Sequence, residues 1–263
     1  MRACVLLIEG TNCEDDAVSA FEKVGVYAEK VHLKQLTHEC MRERWRTLGD
    51  YDILFLPGGW SAGDYVRAGA IFASRIKSRL EEELNDFIES GKKVVGVCNG
   101  FQVLIEAGIL PGFEGISDQP LGVLTMNANA RFQCRPTYLK HANKCGITKG
   151  IKLGQVMQVP VAHAEGRLTF GEAEEGILRK LGENEQIIFR YCRLDGEPAD
   201  GVFPYNPNGS ASDIAGISNP EGNVLGMMPH PERVIEPTQM ADWNRKNYGE
   251  GDGLRFFQSL VED

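Results

Sequence analysis

Through its first 110 residues the chain alternates short apolar runs with amphipathic stretches, and no other feature limits its fold as strongly. Ala3 to Ile8, Val26 to Leu33, Ile53 to Leu56 and Val94 to Val97 read as strands, with helices over Glu14 to Val24 and Ile71 to Ser90 between them. Strands separated by helices must run the same way, so the expected fold is α/β, a parallel sheet flanked by helices. Ligands of such sheets gather at the carboxyl ends of the strands. Three of the loops leaving those ends are distinctive: Glu9 to Asp16 with a polar, acidic helix start, Pro57-Gly58-Gly59-Trp60 and its continuation to Tyr65, and the turn at Cys98.

From about residue 111 the segments shorten and glycine, proline and asparagine become frequent, which points to a short antiparallel addition. Asn206-Pro207-Asn208-Gly209-Ser210 reads as a turn by composition, and the glycines of 249–253 as a break between two terminal helical pieces. One domain over residues 1–263 is expected.

Cys98 follows Val94-Val95-Gly96-Val97 and precedes Asn99-Gly100-Phe101-Gln102, so it stands where a strand turns sharply into a helix. Such an elbow lifts its apical side chain out of the packed sheet and aims free N–H groups and the positive helix end at it, conditions that favour a thiolate. Gly100 permits the tight bend. A base is offered by Pro229-His230-Pro231-Glu232-Arg233, where prolines fix the backbone on both sides of His230 and Glu232 can accept from the imidazole. Cys98, His230 and Glu232 thus supply nucleophile, base and orienting carboxylate. The backbone N–H groups of Gly58-Gly59 and of Asn99 are candidates for an oxyanion hole, and Gln102, one helical turn after Cys98, can face the same pocket. His163 and Glu165 repeat the His-x-Glu spacing, but Ala164 and Gly166 leave them looser, so His230 is preferred.

A formal charge of −9 argues against nucleic acid or an anionic membrane as partner. No apolar run approaches the ~20 residues of a membrane span, and the start of the chain has too short an apolar core for a secretory signal, so a cytoplasmic location is expected. Seven cysteines without a Cys-x-x-Cys pair and five scattered histidines suggest neither a disulfide framework nor a metal site; six of the cysteines read as packing residues. There is no phosphate-binding loop of the Gly-x-x-x-x-Gly-Lys-Ser/Thr type, so ATP chemistry is expected elsewhere.

Cys-x-Gly-x-Gln at Cys98 to Gln102 together with His-Pro-Glu at His230 to Glu232 resembles the class I, triad-type glutamine amidotransferases. The blocks GTNCEDD (10–16), PGGWSAGDYVRAGAI (57–71), GVCNGFQVL (96–104), NANARFQCR (127–135), PVAHAEGRL (160–168), YNPNGS (205–210), IAGI (214–217) and GMMPHPER (226–233) are similar to the glutaminase subunits of phosphoribosylformylglycinamidine synthase. The resemblance implies a flavodoxin-like sheet and hydrolysis of L-glutamine through Cys98, His230 and Glu232, with Gly59 and Asn99 binding the oxyanion. Gln102 and the segment of Asn127, Asn129 and Arg131 would hold the substrate. Asn129 stands where relatives often carry serine, and Ala164 where many carry glycine. Ammonia would pass to an ATP-dependent synthetase subunit, with or without a small third subunit, which makes formylglycinamidine ribonucleotide in purine biosynthesis. No cofactor is expected on this chain; ATP and Mg belong to the partner. The alternatives are a class I amidotransferase of another pathway or a cysteine hydrolase on a related fold.

Overall fold

The computed structural model describes residues 1–262. Its strands are β1 (Arg2–Leu7), β2 (Tyr27–His32), β3 (Ile53–Leu56), β4 (Lys93–Val97), β5 (Val123–Thr125), β6 (Gln133–His141), β7 (Val156–His163), β8 (Arg167–Thr169), β9 (Ile187–Cys192), β10 (Ile214–Ser218) and β11 (Val224–Met227). The helices are α1 (Glu14–Lys23), α2 (Leu33–Leu36), α3 (Ala70–Glu89), α4 (Asn99–Glu106), α5 (Glu174–Glu183) and α6 (Asp252–Val261). Nine strands form one sheet in the order β2-β1-β3-β4-β11-β10-β9-β6-β7, and β5 pairs with β8 in a small antiparallel ribbon.

The first five strands of that order are parallel, β11 joining β4 as the fifth. β3, β4 and β11 are buried almost throughout, as strands covered on both faces must be. α1 buries Ala17, Ala20 and Phe21, and α3 buries Phe72, Ala73, Ile76, Leu80, Leu84 and Phe87, the spacing of one apolar stripe in each case. Edge-to-face contacts of Phe21 with Phe55 and Phe257, at 5.6 and 5.2 Å, join α1, β3 and α6 into one core.

β10, β9, β6 and β7 continue the same sheet in antiparallel sense. This wing is longer than the sequence suggests, because β6 and β7 place Pro136 opposite Pro160, residues that normally interrupt a strand signal. The last glycine-rich segment leads from a 3-10 turn at Pro237–Gln239 to α6, so there is one terminal helix rather than two helical pieces. Among the described residues no helix is long and apolar enough to cross a membrane.

Candidate active site

Cys98 sits between β4 and α4 with φ 53° and ψ −107°, a left-handed strained conformation for a residue with a side chain. Two glycines make the bend possible. A Cβ on Gly100 would lie 2.0 Å from the Leu56 carbonyl oxygen, and one on Gly96 2.6 Å from that of Gly100, so α4 starts in direct contact with β3 and β4. The Cys98 N–H donates to Met227 at 2.8 Å, which ties the elbow to the end of β11, and the thiol faces the Ala162 carbonyl at 3.6 Å.

β11 runs on through Met228 and Pro229 to His230, which puts the histidine beside the elbow because β4 and β11 are neighbours. Its N–H donates to the Pro160 carbonyl at 2.8 Å, fixing it to β7 as well. Nδ1 lies 2.5 Å from Glu232 Oε1, and both side chains are buried. Burial alone would depress the imidazole pKa, but the Glu232 carboxylate, and after it Cys98, raise it well above the ordinary value. Nε2 has no hydrogen-bond partner among the described residues. Cys98 and His230 meet across Gly58, where an added Cβ would stand 2.7 Å from His230 Cε1, 3.1 Å from Cys13 Sγ and 3.4 Å from Cys98 Cβ; only glycine fits.

Gly59 has φ 145° and lies against Gly10 and Thr11, with Trp60 N–H bonded to the Gly10 carbonyl and Asn12 N–H to that of Gly58. Neither the Gly59 N–H nor the Asn99 N–H is engaged by an acceptor among the described residues, so both stay free as donors. The Asn99 side chain braces the loop, accepting from Ser61 N–H at 3.2 Å and donating to Asp64 at 3.3 Å and Gln102 at 2.9 Å.

The remaining candidates divide by burial. Gln102 is buried, donating to the Glu165 carbonyl at 2.5 Å and accepting from Asn99, so it links α4 to the end of β7. Asn127 is buried and its amide is fully engaged: Nδ2 donates to the Arg131 and His163 carbonyls, and Oδ1 faces Gly166 N–H at 3.0 Å and His163 Nδ1 at 3.1 Å. Asn129 and Arg131 lie at the exposed tip of that loop, where Asn129 Oδ1 accepts from the Arg131 N–H. The structure does not bring His163 and Glu165 together as it does His230 and Glu232, since Glu165 Oε2 receives the Ala68 N–H instead.

The Asn127 contacts also fix the state of His163. Oδ1, which accepts from Gly166, can only accept from Nδ1–H, so in the neutral ring Nε2 carries the lone pair. Burial, aided by His230, lowers the His163 pKa to about 3, and Nε2 is buried without a partner.

Two features escape the sequence reading. Cys13, taken there for packing, has its sulfur 4.0 Å from His230 Nδ1 and receives an Arg233 guanidinium N–H at 2.9 Å. The Asn206 to Ser210 turn is interior: Asn208 donates to Tyr191 Oη at 3.2 Å, and Ser210 Oγ donates to Gly166 O at 3.2 Å and accepts from Leu168 N–H at 3.1 Å. The acidic, polar start of α1 and the repeated asparagines were the only local signals, and neither specifies a partner two hundred or forty residues away.

Comparison with known proteins bears on the same site. The family model described as the CobB/CobQ-like glutamine amidotransferase domain matches residues 1–262. The phosphoribosylformylglycinamidine synthase subunit PurQ of Archaeoglobus fulgidus is 47% identical over 100% of this chain and 96% of its own. The Thermus thermophilus protein of the same name is 42% identical over 100% and 99%. A solved structure described as PurLQS from Thermotoga maritima superposes with a TM-score of 0.71 at 32% identity, covering 99% of this chain and 97% of that one. With the match running from the first strand to the last helix, this chain belongs to the CobB/CobQ-like glutamine amidotransferase family.

Proposed function

We propose that this chain is the glutaminase subunit of phosphoribosylformylglycinamidine synthase, hydrolysing L-glutamine to glutamate and ammonia and delivering the ammonia to a PurL-type synthetase subunit assembled with a small PurS-type subunit. The observation that carries the reading is the meeting of Cys98 and the His230–Glu232 pair across Gly58, in a chain similar to PurQ proteins over its whole length. The Thermotoga maritima assembly supplies the model for the partners.

In this reading the Cys98 thiolate, stabilised by the protonated imidazole of His230, attacks the carboxamide carbon of glutamine. The oxyanion forms within reach of the free Gly59 and Asn99 N–H groups, which need no rearrangement to receive it. His230 gives its proton to the departing ammonia, leaving a γ-glutamyl thioester on Cys98, then takes a proton from the water that hydrolyses it. Glu232 holds Nδ1 so that Nε2 faces the reacting atoms. Gln102 and the loop of Asn127, Asn129 and Arg131 border the substrate, Asn127 by holding the loop and Asn129 and Arg131 from its exposed tip. The reaction needs no cofactor on this chain; ATP and Mg act on the synthetase, and the assembly works in the cytoplasm.

The test is ammonia release from glutamine, with and without the synthetase, its ATP and formylglycinamide ribonucleotide. Wild type turns over in the assembly, and Cys98→Ala loses about 10⁴-fold or more. Full turnover by Cys98→Ala, or no turnover by wild type under either condition, refutes the proposal.

A further inference from the structure

His230 has a second thiol beside Nδ1, the ring nitrogen that also meets Glu232. Cys13 Sγ, His230 Nδ1 and a Glu232 oxygen all lie within 4.8 Å of one another, and all three residues are buried. Glu232 Oε2 has no hydrogen-bond partner among the described residues, so this buried carboxylate keeps a lone pair with nothing to receive it. A sulfur, an imidazole nitrogen and a carboxylate oxygen are the donor set of tetrahedral zinc, whose bonds of about 2.0–2.3 Å put neighbouring ligand atoms about 3.5 Å apart. The 4.0 Å between sulfur and nitrogen needs only a small contraction, while the 2.5 Å between Nδ1 and Oε1 must open or the carboxylate turn to present Oε2. Asn12 Oδ1 accepts from the Cys13 thiol at 3.3 Å, so an oxygen already lies within reach of the sulfur.

We propose that Cys13, His230 and Glu232 form an inhibitory site for a thiophilic divalent cation of the zinc class. On binding, the Cys13 thiol proton and the proton that His230 Nδ1 shares with Glu232 both leave to solvent. Nδ1 becomes a metal ligand, so the ring keeps a single proton, on Nε2, and can neither pair as an imidazolium with the Cys98 thiolate nor give that proton to ammonia without becoming an imidazolate. The site therefore silences the base without touching the nucleophile; that consequence, though not the binding, rests on the function proposed above. Arg233 opposes the cation, since its guanidinium holds the Cys13 sulfur at 2.9 Å and must swing aside. Magnesium, which prefers oxygen ligands, is excluded.

The probes are zinc for inhibition and cobalt for direct detection, used on the full chain. Cobalt bound to wild type gives a thiolate-to-metal charge-transfer band that persists in Cys98→Ala and disappears in Cys13→Ser. Zinc inhibits wild-type glutaminase reversibly on chelation, and Cys13→Ser needs at least about tenfold more zinc for the same inhibition, as loss of a ligand demands. Arg233→Gln binds cobalt at least about threefold more tightly, a gain that a merely disrupted site cannot give. Equal zinc sensitivity of wild type and Cys13→Ser, a charge-transfer band that follows Cys98 instead of Cys13, or no metal uptake overturns the site. If glutamine is not turned over at all, the proposed function fails while the cobalt spectra still decide this inference.

Discussion

At the scale of single residues, the two buried histidines of the site are held in opposite protonation states by their neighbours. His230 keeps a proton because Glu232 outweighs its burial; His163 cannot take one because nothing does. Glu232→Gln removes the main source of the raised His230 pKa, so the imidazolium that pairs with Cys98 in the proposed mechanism is lost at lower pH. The alkaline limb of the kcat/KM profile for glutamine moves to lower pH, and an unmoved limb would contradict the assignment. For His163 the sign is reversed. The unfolded chain binds a proton near pH 6.5 and the folded chain only near pH 3, so stability is complete above the first value and is lost as pH falls between them. From about pH 7 to pH 5 this amounts to about 2 kcal/mol, and denaturant titrations of His163→Gln should show a correspondingly shallower acid loss. The elbow at Cys98 and the His230–Glu232 contact were legible in the sequence because each sits in a local pattern, elbow or proline bracket, that constrains its own backbone. Cys13 and Arg233 were not, since 220 residues separate them and the contact exists only once α1 and the end of β11 are packed.

At the scale of elements, the site depends on how closely helices approach strands. A Cβ on Gly253, in the first turn of α6, would stand 1.9 Å from the Pro231 carbonyl oxygen, inside the His230–Glu232 turn. Gly253→Ala should push that turn, costing roughly 1–3 kcal/mol in stability and about 100-fold in kcat through misplacement of the base. A variant that unfolds earlier yet keeps its kcat would show that the turn does not depend on α6. The parallel half was readable from the alternation of runs and stripes. Of the antiparallel wing only its presence was readable, because β6 alternates in burial but fills its buried positions with Gln133, Thr137 and His141 beside Leu139, which hides the apolar period, and its second partner, β9, is not its neighbour in the chain.

At the scale of the whole molecule, the loop that carries Gly59 also exposes Tyr65 and Val66, at 89% and 71%. In the proposed function the chain meets a synthetase, and exposed apolar groups on a loop that also borders Cys98 suit that interface. Replacing both with glutamate should abolish co-purification with the synthetase and glutamine-dependent product formation. Synthesis from added ammonium salt, and the unfolding free energy to within about 0.5 kcal/mol, should not change. Loss of the ammonium-dependent reaction as well would place the damage elsewhere.

The adjacency of β4 and β11 has a consequence for the order in which the protein is made. A ribosome completes the elbow with Cys98 long before it reaches His230, and the strand between β4 and β10 can be filled only by a segment from the last fifth of the chain. Through about half of its synthesis the nascent polypeptide therefore carries Cys98 without His230, and in the proposed function the last strand of the chain is also what completes the triad.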